Sequence, residues 1–257
     1  MNKPVVVIGL GQIGSVFAQG FLLNHHPVYP IRHDMDAQAE AGGIPEPQVV
    51  LVAVREETLH AILQALPPGW SDRLALVQNE LLPRDWESHH LPHPSVATIW
   101  FEKRKDRPAD SYYPSVVYGP QAGLVEAALQ SLGLPTRRAA SAEEMLYEMV
   151  RKNLYIVAKN IAGMAAPGNV GSLWAQHHDL FVSVAREVLA VQAWLAGRPL
   201  PTERLLAQLG ADVEGQPEKG TAGGSAPGRL ARAIGYADLA GLEVPQLRQI
   251  QANASGK

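Results

Sequence analysis

Lys152 and Asn160 stand eight residues apart in the stretch Arg151 to Gly163, with Ile156 midway. Spacings of four keep all three on one gradually drifting face of a helix, and such a face can line a cleft. A lysine and an asparagine on a largely apolar helix need partners if buried, and an ammonium near a substrate carbonyl can donate the proton that completes a reduction. The plainer alternative is a solvated face that carries both side chains in water.

A reduction also needs an electron donor, and the other end of the chain offers a place for one. Residues 5–14 form an apolar run ending in G-x-G-x-x-G, with glycines at Gly9, Gly11 and Gly14. In that motif the first glycine makes a sharp turn, the second lets a pyrophosphate approach bare backbone, and the third packs a helix closely. The amides of Gln12, Ile13 and Gly14 at the helix start then face the phosphate. After the second apolar run, residues 28–31, comes Arg32, where an acidic residue would accept from an adenosine ribose and an arginine accommodates a 2′-phosphate. Asp34 falls slightly late for the ribose role. A third run, residues 49–54, ends at Arg55, so two cations, Arg32 and Arg55, belong to the carboxyl edge of one sheet. NADP(H) is therefore favoured over NAD.

Strand-like runs at 4–8, 28–32, 49–54, 74–78 and 95–99 alternate at first with helical stretches, as a parallel sheet requires, and 115–119 adds a further strand. Ser141 with Glu144 forms a capping box that opens a long helix reaching about Ile161. From there on the pattern is helical, through 180–195 and 201–209. The expected fold is α/β: a Rossmann-type dinucleotide-binding domain at 1–140 followed by a mainly α-helical domain at 141–257. The glycine-rich stretch 217–228 suits either a mobile linker or a substrate-facing loop, and 253–257 reads as a frayed tail.

The 257 residues hold 22 Lys and Arg against 25 Asp and Glu, a net charge of −3 that gives no electrostatic case for nucleic acid. The apolar run near the N-terminus is too short to span a bilayer and no secretory pattern precedes it, so a cytoplasmic location is expected. Without cysteine, disulfides, thiolate catalysis and cysteine-bound metals are excluded. His89, His90 and His93, and the pair His177 and His178, invite a metal, but Pro92 interrupts any regular ligand-bearing helix and no acidic set completes a site. They read as surface histidines. The mixed run 102–107 reads as a solvated loop, and the scattered tryptophans as packing residues.

Taken together these pieces resemble the ketopantoate reductase (2-dehydropantoate 2-reductase) family. The likeness rests on Gly9, Gly11 and Gly14; Arg32; Arg55 where the family usually has lysine; Gln78 and Asn79 after the fourth strand; Lys152 with Asn160; and Gly171, Glu187 and Gly197 in order. It implies NADPH-dependent reduction of a small 2-oxo acid in a cleft between the domains. Lys152 would be the general acid, Asn79 would sit beside nicotinamide and substrate, and Asn160 and Ser225 would hold the substrate. By this resemblance the chain reads as a divergent, shortened member. Ile156 stands where the family has a further asparagine, Glu80 replaces the glycine of Gln-Asn-Gly, and no glutamate occurs between Glu218 and Glu243, with Arg229 near the expected place. These departures remove polar substrate contacts and leave three readings open: a reductase of a different 2-oxo acid, a dehydrogenase working in the opposite direction, and an NADP(H)-binding sensor or scaffold with little or no turnover. The helical part can pair with a copy of itself into a homodimer or stay alone.

Overall fold

The computed structural model describes residues 2–221 and 223–255. Two compact units divide the chain, Met1–Met149 and Val150–Lys257, and the division falls inside the long helix that opens at Ser141.

The first unit is built on strands β1 (Val5–Ile8), β2 (Val28–Ile31), β3 (Val49–Val52), β4 (Leu74–Leu76) and β5 (Ser95–Thr98). A small antiparallel pair follows, β6 (Phe101–Glu102) and β7 (Asp110–Ser111), and then β8 (Ser115–Tyr118) and β9 (Thr136–Arg138). The helices of this unit are α1 (Gln12–Leu23), α2 (Ala37–Ala41), α3 (Glu56–Gln64), α4 (Pro83–Glu87) and α5 (Ala122–Gln130). The main sheet runs in the order β2-β1-β3-β4-β5-β8-β9. Its first five strands are parallel, in register Val5 with Val28 on one side and Val49 on the other. β8 enters antiparallel to β5, and β9 returns parallel to β8. Every residue of β1 and β3 is buried, as a strand covered on both faces requires. One face, with Val5, Val7, Val49 and Leu51, packs against Val16, Phe17 and Phe21 of α1 and Val125, Ala128 and Leu129 of α5. The two helices touch through Gly20, where a Cβ would fall 2.1 Å from the Ala128 carbonyl oxygen.

The mixed-charge run is the exposed turn between β6 and β7. Of the histidines, His89 lies 2.9 Å from His60, which lies 3.5 Å from Asp85. Burial, then the neighbouring His60, pushes the His89 imidazole down, and burial pushes the Asp85 carboxyl up. No group of three or more His, Cys, Asp or Glu among the described residues is arranged to hold a metal. Among the tryptophans, Trp70 is fully buried and donates to the Ile44 carbonyl.

The second unit starts within α6 (Ala142–Ala165) and continues through α7 (Val170–Gln176), α8 (His178–Leu195), α9 (Thr202–Glu214), α10 (Ala226–Ala240) and α11 (Pro245–Ser255). The capping box at the start of α6 is displaced by one residue. Ser141 Oγ accepts from the Glu144 amide at 3.1 Å, but the Glu144 carboxylate reaches back to the Ala140 amide at 2.6 Å. That amide, and then Arg137, hold the Glu144 carboxyl below the usual carboxylate range. Contrary to the frayed tail read from the sequence, α11 continues through Ser255; residues 256 and 257 lie outside the described range. No described helix is long and apolar enough to cross a membrane.

α8 carries the core of this unit, with Phe181, Val184, Ala185, Val188, Leu189, Val191 and Leu195 buried at helical spacing. The same helix caps another. α11 begins with Pro245 after Val244, which has no side-chain acceptor, and the Glu187 carboxylate takes that place by accepting from the Gln246 and Leu247 amides at 2.8 and 2.9 Å. Glu187→Ala should therefore destabilise the protein by about 1–3 kcal/mol, read as a lower urea midpoint. Glu187→Gln, which keeps an acceptor oxygen, should lose less; an unchanged midpoint in both variants would remove this role.

Candidate functional site

In the first unit the chain leaves β1 at Gly9 with φ +92°, a conformation side-chain-bearing residues rarely adopt. A Cβ there would meet the Ala53 carbonyl oxygen at 2.7 Å. Gly14 is tighter still, because its Cβ would fall 1.9 Å from the Gly9 carbonyl oxygen. Gly11 has no heavy atom within 4 Å of where a Cβ would sit, so its backbone is open to a ligand. Gly11 is also the N-cap of α1, with no side-chain cap and no acidic residue in the first turn. The amides of Gln12, Ile13 and Gly14 thus sit at an uncapped positive helix end. These features fit the pyrophosphate of a dinucleotide.

Arg32 follows β2 directly and is exposed. Its guanidinium donates to Asp34 through Nε at 3.1 Å and Nη2 at 3.0 Å, which holds the Asp34 carboxyl below its usual range. Asp34 therefore faces Arg32. Arg55 is the exposed N-cap residue of α3, the helix after β3, and its carbonyl accepts from the Thr58 amide and hydroxyl. After β4, Gln78 is buried and its amide donates to the Val52 carbonyl at 2.7 Å, tying this turn to β3 and setting the half-buried Asn79 behind it. Glu80 comes next with φ +60°. A glutamate holds here the left-handed conformation that favours glycine, the residue the resembled family has at this place.

In the second unit the solvated-face reading of α6 does not hold. Lys152 is 8% exposed and Asn160 6%, while Ile156 between them is half-buried. The Asn160 amide donates to the Thr221 carbonyl at 2.8 Å, and Thr221 packs against Gly163, where a Cβ would fall 2.5 Å from the Thr221 Cβ. Within the glycine-rich stretch, residues 217–221 are therefore held in place. The Val170 and Gly171 amides donate to the Lys219 and Pro217 carbonyls at 2.7 and 2.8 Å. Arg229, noted in the sequence only as an anomaly, is buried on α10 and its Nη1 donates to both Asn160 Oδ1 and Ser225 Oγ at 2.5 and 2.7 Å. The structure thus joins Asn160 and Ser225 through a residue that spacing did not single out. Asn153, next to Lys152, is buried and donates to Gln192 of α8 at 3.2 Å.

An open glycine turn at the carboxyl end of five parallel strands, followed by a helical unit with buried polar groups on its first helix, defines a Rossmann-type fold with an appended helical part. The whole chain has the fold of the ketopantoate reductases. A PanE/ApbA family ketopantoate reductase from Ralstonia eutropha superposes with a TM-score of 0.68 at 17% identity, covering 96% of each chain. A probable 2-dehydropantoate 2-reductase from Bacillus subtilis gives 0.69 at 13% identity, over 98% of this chain and 99% of that one. D-mandelate dehydrogenase, solved with NADH and anilino(oxo)acetate, gives 0.63 at 13% identity, over 96% and 95%. No protein-family model and no curated protein matches the sequence.

Proposed function

We propose that the protein is an NADPH-dependent reductase of a small 2-oxo acid. The observation that carries this reading is Lys152, a buried lysine on the α6 face that also presents Asn160, in a chain whose first unit holds an open glycine cradle. Gly9, Gly11, Gln12, Ile13 and Gly14 would hold the pyrophosphate, and Arg32 and Arg55 the 2′-phosphate. Asn79 would sit beside nicotinamide and substrate, and Asn160 and Ser225 would hold the substrate. NADPH held there would supply the hydride that reduces the 2-oxo carbonyl, and Lys152 Nζ would donate the proton to the carbonyl oxygen, so that the products would be the 2-hydroxy acid and NADP⁺. Opening the Arg32–Asp34 pair for a phosphate costs little, because both side chains are exposed and water screens their attraction.

A second reading, an NADP(H)-binding sensor or scaffold, is favoured by one observation: Asn160 and Ser225 are already engaged by Arg229. Thermal shift with NADPH and NADH, followed by a 2-oxo acid panel monitored through NADPH absorbance, separates the two. A reductase oxidises NADPH with at least one acid, whereas a sensor is stabilised by NADPH and oxidises it with none. In the same titrations Arg32→Ala should weaken NADPH by about tenfold or more while barely changing NADH. Equal stabilisation of the wild type by both nucleotides would remove the 2′-phosphate role, and stabilisation by neither would remove the nucleotide reading.

A further inference from the structure

Arg32 and Asp34 are set against each other by the chain between them. The Met35 amide donates to the Arg32 carbonyl at 3.0 Å, which closes a four-residue turn directly after β2, and Asp34 is its third residue. Just beyond the turn, Asp36 caps α2 by accepting from the Gln38 amide at 2.9 Å, so the segment is anchored at both ends. Within the turn the Asp34 carboxylate accepts from Arg32 Nε at 3.1 Å and from Nη2 at 3.0 Å, one oxygen to each nitrogen. A guanidinium takes a phosphate in this same parallel, two-bond geometry. The bonds from Arg32 hold the Asp34 carboxyl below its usual range, so it is ionised at neutral pH.

We infer that Asp34 sets the cofactor selectivity of the nucleotide site: its carboxylate occupies the fork of Arg32 that a 2′-phosphate would take, so that the phosphate must displace it and NADPH is favoured over NADH less strongly than Arg32 alone would favour it. This rests on the reading of Arg32 as the residue that meets the 2′-phosphate. Breaking the pair is cheap in water, but the displaced carboxylate does not leave. The turn closed at Met35 keeps it two residues from Arg32, where its charge opposes a phosphate monoester carrying about −1.5 to −2 at neutral pH. NADH has no group that competes for the fork and leaves the pair closed.

The test is fluorescence titration of NADPH and of NADH into the wild type, Asp34→Asn, Asp34→Glu and Arg32→Ala, which reads binding without any need for turnover. Asp34→Asn keeps the size of the side chain and removes its charge, and should lower the Kd for NADPH by about three- to fivefold while leaving that for NADH within about twofold. Asp34→Glu, which keeps a carboxylate, should stay close to the wild type with both nucleotides. The ratio of the two Kd values is informative because a variant that only loosened the turn would shift both nucleotides alike. If Arg32→Ala weakens NADPH while Asp34→Asn leaves it unchanged or weaker, or tightens both nucleotides equally, the inference is overturned and the 2′-phosphate reading stands. If Arg32→Ala binds NADPH as the wild type does, that reading fails and the inference falls with it, whatever Asp34→Asn shows.

Discussion

Replacing Lys152 by alanine should lower turnover by about 10²–10⁴-fold, the contribution of a positioned general acid, while NADPH affinity changes little. The separation of the two effects follows from where the residue sits. Lys152 lies on α6 in the second unit, whereas the glycine cradle, Arg32 and Arg55 all belong to the first. Its side chain is buried, so truncation also leaves a cavity and an altered polar environment. Lys152→Met therefore belongs beside Lys152→Ala, because it keeps most of the volume and removes only the ammonium. If the role is proton donation, both variants lose kcat together and both retain the NADPH-induced rise in melting temperature. A loss confined to the alanine variant would mark packing, and equal loss of turnover and NADPH binding would sink the assignment.

The parts of this molecule legible in the sequence are those written at short range. The β1–α1 unit is local: an apolar run, glycines at fixed offsets and a helical stripe read at Val16, Phe17, Gly20 and Leu23 lie within one stretch, and the structure places Gly9 at positive φ where that reading requires it and buries the stripe except for Leu23, which at the end of α1 is 52% exposed. α6 was legible for the same reason, since a capping residue and a periodic pattern announce it. Strand direction was not. Alternation marks β8 as a strand but carries nothing about its antiparallel pairing to β5, which depends on the path taken by the intervening hairpin. Burial of Lys152 and Asn160 was equally undecided, because a polar residue on a mixed helix face has the same pattern in water or beneath another element. The contact of Arg229 with Asn160 joins residues 69 apart in the chain. From spacing alone Arg229 was only a missing glutamate. The retained left-handed turn at Glu80 was hidden in a similar way, since the side chain there argues against the conformation its backbone adopts.

The same α6 carries the largest expected effect on stability. Arg151, 16% exposed, donates to Asp212 of α9 through Nε at 2.9 Å and Nη2 at 2.6 Å, and Gln208 adds a third donor at 3.0 Å. Asp212 is 1% exposed. Two parallel bonds from one guanidinium satisfy most of what a buried carboxylate needs, and their geometry fixes α9 against α6. Arg151→Met should destabilise the protein by about 3–5 kcal/mol, because it leaves a buried carboxylate without its counter-charge. Burying the pair is itself expensive, so its net worth against an apolar pair of similar size is small. The double variant Arg151→Met with Asp212→Leu should therefore recover most of the loss in urea denaturation at neutral pH. Recovery would show that the single variant suffers from the stranded charge. If the double variant is as unstable as Arg151→Met alone, the pair is instead required for the packing of α9 on α6, and the stranded-charge account fails.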